Sequence, residues 1–266
     1  MEIGTVLSAT AAWTALAMLS LWIASLRLRD ASIVDVYWGP GFAAIATVAF
    51  VVSGGDHPRR WLVLVLAAIW GLRLGAYLLW RNVGKGEDYR YQAMRRHHGD
   101  RFAWVSAFTV FGLQGVLQWI VALPLQLTQA APGAEVLGWL DAAGVTLFGV
   151  GMFFEGVGDA QLARFKADPE NRGRVMDRGL WRYTRHPNYF GDFCVWWGIG
   201  VISLAGPYGW VSLVGPALMS FLLLRVSGVA MLERTIGERR PGYAEYARRT
   251  NAFFPGPPRR VRDTSP

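Results

Sequence analysis

Apolar residues along this chain gather into long runs, and the polar and charged residues fall between them. Seven runs approach the roughly 20 residues that carry a helix across the hydrocarbon layer: Ile3–Leu26, Ile33–Ser53, Trp61–Trp80, Phe102–Leu127, Val136–Gly158, Tyr189–Gly206 and Tyr208–Leu232. Such runs are read as helices because backbone polar groups in lipid must be satisfied within the segment, which an α-helix does. The sixth and seventh are parted only by a Pro-Tyr-Gly turn at Pro207. The first follows Met-Glu and ends in Arg27 and Arg29, unlike a cleaved signal peptide, so it is expected to be a retained span. The pattern predicts an all-α, polytopic integral membrane bundle of seven transmembrane helices.

Charge then orients the bundle. Of the 27 Lys and Arg residues, 23 lie in the connections on one side, 27–32, 81–101, 159–188 and 234–266. The opposite connections hold only Arg59 and Arg60. Basic residues favour the cytoplasmic side, so the N-terminus is expected outside and the C-terminus in the cytosol. The location that follows is a bacterial inner membrane or the endoplasmic reticulum, with the active site facing the cytosol. Hydrophobic residues make up 53% and charged residues 17%, which excludes a disordered chain. The single cysteine, Cys194, excludes an internal disulfide framework. A net charge of +8 and a pI near 10.0 raise the question of nucleic acid. The basic residues are accounted for by topology and lipid headgroups, so no nucleic-acid partner is expected. The expected partners are the bilayer and a hydrophobic small molecule, with the chain a monomer. No linker or repeat interrupts it, so a single domain is expected over residues 1–255, with 256–266 a disordered tail.

Ionisable side chains inside spans are costly unless they face a protein cavity, and so mark candidate sites. Asp35 opens the second span close to Tyr37 and Trp38, with Gly39-Pro40-Gly41 expected to loosen the helix beyond. Arg73 lies in the third span with Trp70 and Tyr77 on its face. Gln114 and Gln118 share a face of the fourth, Glu155 and Asp159 a face of the fifth, Asp192 opens the sixth, and Arg225 lies late in the seventh. The bland alternative is an interhelical hydrogen bond or ion pair that only holds the bundle, for example Asp35 with Arg73. Asp141, near the outer end of its span, is expected to reach interfacial water.

The richest stretch runs from Asp159 to Asp192. It carries Arg164, Lys166, Arg172, Arg174, Tyr183, Arg185, His186, Asn188 and Tyr189 among carboxylates. Arg and Lys suit phosphates, the one through forked bonds and the other as a mobile charge. The glycine-rich dinucleotide fingerprint and the P-loop are both missing, which leaves a non-Rossmann diphosphate site.

These residues resemble the membrane steroid 5α-reductase family, in particular its bacterial branch. The resemblance covers about Trp70 to Pro255. It is strongest over Gly179–Asp192 with its Arg185-His186-Pro187-Asn188-Tyr189, and is supported by Gly86-Glu87-Asp88-Tyr89-Arg90-Tyr91 and by Tyr243, Tyr246 and Phe254-Pro255. It implies an NADPH-dependent oxidoreductase with seven spans that reduces the 4,5 double bond of 3-oxo-4-ene steroids. Cofactor contacts fall by resemblance on Asp159, Lys166, Arg174, Tyr183, Arg185, His186, Asn188, Tyr189, Asp192 and Arg225, with Arg248 or Arg249 as a further phosphate partner. Glu87 and Asp88 would order the 81–101 loop, and Tyr89, Arg90 and Tyr91 would touch adenine or phosphate.

The chain departs from the family where the steroid enzymes hold the 3-keto group with a Gln-Glu pair and a Tyr. It offers Asp35-Val36-Tyr37 and Trp70, Arg73 and Tyr77 instead. Asp35 or Tyr37 is the expected proton donor, with Trp38, Trp70 and Arg73 at the substrate. Trp196 and Trp197 are either cavity wall or interfacial anchors. A membrane methyltransferase of the isoprenylcysteine or phospholipid type also carries Arg-His-Pro-x-Tyr, but has paired glutamates after the last span where this chain has the single Glu233. A non-catalytic transporter or receptor is the third reading. No metal site is expected, because His97 and His98 lack the spacing of two ligands on one helix face.

Overall fold

The computed structural model describes residues 2–54, 56–132, 136–226, 229, 233 and 240–259. The far end of the last predicted span and the tail 260–266 lie outside the described residues. Nine helices follow in order among them: α1 Ile3–Leu28, α2 Ile33–Ser53, α3 Pro58–Asn82, α4 Tyr89–Val121, α5 Leu123–Ala130, α6 Trp139–Ala167, α7 Pro187–Ser203, α8 Gly209–Val226 and α9 Tyr243–Arg249. The only isolated β-bridge among the described residues joins Thr184 and Asn251. Six helices, α1, α2, α3, α4, α6 and α8, are long and apolar enough to cross a membrane. This is one fewer than expected from sequence. The difference is α7, whose 17 residues reach only about 26 Å at the helical rise per residue.

The chain divides into two compact units, Met1–Ala142 with Ile199–Gly215, and Ala143–Gly198 with Pro216–Pro266. In the first, α2 and α3 pack backbone to backbone. A Cβ on Gly39 would lie 2.5 Å from the Gly71 carbonyl oxygen, and one on Gly71 would lie 2.4 Å from that of Gly39. Small residues permit this approach where no hydrophobic force between helices exists in lipid. Gly39-Pro40-Gly41 therefore does not loosen α2, which runs unbroken through Pro40. The Pro40 ring sits against Gly75 of α3, so the missing N–H is absorbed by close packing.

One sequence expectation is corrected at the other end of α3. Asp141 does not reach interfacial water. It is 2% exposed and takes a forked pair from Arg59, Nε to Oδ1 at 2.7 Å and Nη2 to Oδ2 at 2.8 Å, plus the Gly138 N–H at 2.7 Å. Arg59 and Arg60 are likewise buried. Arg60 donates to Gln129 Oε1 at 3.0 Å and to the Phe50 carbonyl at 2.6 Å.

α4 begins earlier than its apolar run because the Asp88 side chain accepts from the Arg90 N–H and caps the helix. It carries a π-helical segment at Ala107–Gly112, and α5 begins after it with Pro124 in its first turn. In the second unit, α6 and α7 meet at Gly151 and Gly191, where a Cβ on Gly191 would lie 2.4 Å from the Glu155 nitrogen. The C-terminal segment is laced to the Tyr183–Arg185 strip. Arg185 N–H donates to Asn251 O at 2.9 Å, Thr184 Oγ1 to Phe253 O at 2.7 Å, and Gly256 N–H to Tyr183 O at 3.1 Å. Arg259 N–H adds a bond to Arg249 O at 2.8 Å, so the chain is tied down as far as residue 259.

Candidate functional site

In the first unit the chemistry gathers around Asp35. Arg90 Nη2 donates to its Oδ2 at 2.6 Å and the Tyr91 hydroxyl to its Oδ1 at 2.7 Å. Arg90 is also braced by Asp88, Nε to Oδ1 at 2.8 Å. Gln114 Nε2 in turn donates to the Tyr91 oxygen at 3.3 Å. The charge beside Asp35 is thus Arg90 rather than Arg73, which lies over the Tyr77 ring at 5.8 Å.

The Gly86–Tyr91 motif explains this placement. Glu87 accepts the Ala31 N–H at 2.9 Å and Arg95 at 2.7 Å. The Asp88 N–H reaches Ser32 Oγ at 3.3 Å. Burial would raise both carboxyls, but Arg95 holds Glu87 and Arg90 holds Asp88 below the ordinary range. The motif fastens the start of α4 to the start of α2 and sets Arg90 and Tyr91 on Asp35. From sequence, Glu87 and Asp88 are expected to order the 81–101 loop and Tyr89, Arg90 and Tyr91 to touch adenine or phosphate; in the structure Glu87 and Asp88 fasten that loop to the start of α2, and Arg90 and Tyr91 bond Asp35. The signal available was the Asp88 cap, which turns the next residues into a helix facing α2.

Tyr91 packs in a buried cluster with Met18 and Phe111, and Tyr37 lies against the same cluster. Met18 and Phe111 also line an apolar groove of about 720 Å³ between α1 and α4, with Thr14, Trp22, Trp104 and Trp119. That volume falls in the range that takes a small organic ligand. Trp70 is fully buried against Phe42, at 5.6 Å between ring centres, and Trp38 meets Phe42 edge-on at 5.3 Å. Gln118 donates to the Trp38 carbonyl at 2.8 Å, so it serves as interhelical glue. None of Trp38, Trp70 and Arg73 is among the residues lining the groove.

In the second unit Glu155 and Asp159 are buried on α6, and Asn188 Nδ2 donates to Asp159 Oδ1 at 3.3 Å. Trp181 closes beside them, its Nε1 on the Gly158 carbonyl at 3.1 Å. Arg185 is occupied by the fold. Its Nε donates to Glu233 at 2.7 Å and its Nη1 to the Ala247 and Thr250 carbonyls, both at 2.9 Å. It thereby caps the C-terminal end of α9, where a cation is favoured. His186 Nε2 lies 3.2 Å from the same Glu233 oxygen, and its ring stacks on Tyr189 at 5.6 Å. Burial would raise Glu233, but hydrogen bonds from His186 and Arg185 and the Arg185 charge hold it at about 2. Burial and the neighbouring Glu233 push Tyr243 up to about 12.

Arg249 pairs with Asp177, and Tyr183 is 45% exposed. Lys166, Arg174 and Arg225 are exposed, and Asp192 is half-buried. The structure therefore brings Asp159 to Asn188, and Arg185 and His186 to Glu233 with Tyr189 stacked on His186, and leaves Lys166, Arg174 and Arg225 at the surface. Among the described residues no three of His, Cys, Asp or Glu come together as metal ligands would. Trp196 is fully buried and Trp197 donates to Ser220 at 2.9 Å.

A family model described as "Protein of unknown function (DUF1295)" matches residues 21–250. The chain belongs to the DUF1295 family. DUF1295 is the steroid 5α-reductase-like family, and no branch of it is singled out. The DUF1295 region takes in every residue discussed above from Asp35 to Arg249, the Asp35–Arg90–Tyr91 cluster and the Glu233 clamp included. No curated protein and no solved structure matches the chain.

Proposed function

We propose that this protein is an NADPH-dependent membrane reductase that saturates the double bond of a 3-oxo-4-ene steroid or a similar apolar enone. The observation that carries the reading is a buried tyrosine hydroxyl, Tyr91, held between Asp35 and Gln114 beside an apolar groove. The donor set that suits the cofactor lies between Asp159 and Asp192. Exposed Arg164, Arg172, Arg174, Arg178 and Arg182 suit a pyrophosphate, and the Asp159–Asn188 pair suits hydroxyl and amide groups. NADPH supplies the hydride that adds to the β-carbon of the enone.

The protein's own part is to stabilise the negative charge that then grows on the ketone oxygen. Tyr91 turns its hydrogen from Asp35 to that oxygen, and Arg90 stays on Asp35. A donor aimed at developing charge in a dry site is worth roughly 3 kcal/mol. A proton from water at the α-carbon completes the saturated ketone. Asp35 positions Tyr91 in this scheme, and Tyr37 is the neighbouring hydroxyl.

The reading extends to topology. The two basic residues on the sparse side, Arg59 and Arg60, are buried and bonded internally. That leaves the uncompensated basic charge on one side, which supports a cytosolic C-terminus and a multi-pass inner-membrane or endoplasmic-reticulum protein. α7 would be a short seventh span in a locally thinned bilayer.

The test is NADPH absorbance in detergent with a 3-oxo-4-ene steroid, run beside labelled S-adenosylmethionine. Steroid-dependent oxidation of NADPH is expected, and Asn188→Ala is expected to weaken NADPH binding. Methyl transfer without NADPH oxidation overturns the reading in favour of the methyltransferase.

A further inference from the structure

The groove between α1 and α4 has one charged end. The helices run past each other so that Trp22 Nε1 donates to the Ala103 carbonyl at 2.9 Å at one end, and Trp119 Nε1 to Thr10 Oγ1 at 3.2 Å at the other. On α1 the lining positions are Thr14, Met18 and Trp22, and Arg29 follows seven residues on, just past the last helical residue Leu28. On α4 the lining positions Phe111, Phe108 and Trp104 continue backwards at Arg101 and then His97. Both stripes therefore become basic at the same end. No residue from Ile3 to Leu26 on α1 or from Phe102 to Pro132 beyond the start of α4 is charged, and the far end of α1 carries an acid, Glu2.

Arg29 has a second peculiarity. It closes α1 in the left-handed conformation, at φ 54°, and is the one non-glycine residue with positive φ among those described. Glycine or asparagine is the ordinary choice there, because Cβ is strained. Arg29 and Arg101 are both exposed. The nearby acids are Asp30, which accepts from Ser32; Asp100, which is exposed; and Glu87, which is taken by Arg95. Trp22 and Trp104, 5.9 Å apart, stand just inside the arginines, where aromatic residues mark the headgroup level.

We infer that this groove is a binding site for an anionic phospholipid, with an acyl chain along the α1–α4 wall and the phosphate on Arg29 and Arg101. A neutral apolar molecule fills such a groove but leaves its basic end unused. A zwitterionic lipid brings its own cation to that end. The phospholipid occupies the groove when substrate is absent. The inference does not rest on the reductase reading, because binding is measured without cofactor or steroid.

Detergent-purified protein is mixed with equal amounts of phosphatidylglycerol and phosphatidylcholine, and the lipid it retains is counted by native mass spectrometry. Two interfacial arginines should favour phosphatidylglycerol by roughly 10-fold or more. Arg29→Gly removes the charge and relieves the backbone strain, so with Arg101→Gln it should abolish the preference while leaving the melting temperature unchanged or raised. Arg101→Gln alone, at an exposed position, should roughly halve the logarithm of the preference. Ala15→Trp, which fills the groove, should remove the retained lipid of either kind. Equal retention of the two lipids by the unaltered protein overturns the proposal. So does a preference that survives the double substitution, or phosphatidylglycerol retained undiminished by Ala15→Trp.

Discussion

Two aspartates sit inside membrane-spanning helices of the first unit, each against an arginine, and they do different work. Asp141 takes both arms of Arg59 and a backbone N–H, and only 2% of it is exposed. Every lone pair that matters is spoken for, so nothing remains to exchange. Asp35 divides its oxygens between Arg90 and the Tyr91 hydroxyl, and its side chain is 23% exposed. One of its two partners is a group with a proton to give. A sealed, forked pair fastens helices together, whereas a split pair ending in a hydroxyl keeps chemistry available.

Breaking the sealed pair should have the largest effect. Asp141→Ala strands a buried guanidinium, at a cost of about 3–5 kcal/mol. The melting temperature in detergent should fall by at least about 6 °C. A drop no larger than that of a surface substitution would falsify the structural role given to Asp141. At the split pair the loss should be in rate. Tyr91→Phe is expected to lower steroid-dependent NADPH oxidation roughly 100-fold. Its melting temperature should fall less than that of Asp141→Ala, because two hydrogen bonds are lost but Arg90 keeps its pair with Asp35. Unchanged turnover would move the donor elsewhere, with Tyr37 next in line.

The smallest effect sharpens the contrast from the second unit, where Glu233 joins Arg185 and His186. Its pKa is depressed to about 2 from an ordinary 4.5, so its contribution to stability is fully present above about pH 4.5 and is lost as pH falls through about 2. Melting temperature measured from about pH 5 down to about pH 3 should decline by a few degrees in the parent. Glu233→Gln should start lower and flatten that part of the decline. Parallel curves for the two proteins would mean that the clamp does not depend on the charge of Glu233.

Much of the architecture could be read from the chain alone because hydrophobic run length is a local quantity. A helix in lipid must satisfy its own backbone, so α1, α2 and α3 lie close to the limits read from the apolar runs, whereas α6 runs on past Gly158 to Ala167 through residues expected to be connection. The start of α4 was missed because Tyr89–His98 is polar and depends on the Asp88 cap rather than on hydropathy. Gly39-Pro40-Gly41 looked like a weak point because the local rule for proline ignores what packs against it. The candidate residues were legible by type, since buried Asp, Arg and Gln stand out against an apolar background.

Their partners were not legible. Asp35 and Arg90 are separated by 55 positions, Arg59 and Asp141 by 82, and Arg185 and Glu233 by 48. No periodicity links residues so far apart. The sequence by itself determined that this is a helical membrane protein with ionisable groups where lipid would forbid isolated ones. Tertiary structure alone decided which arginine meets which carboxylate, because a charge buried in a low dielectric is tolerated only through a partner that packing brings to it.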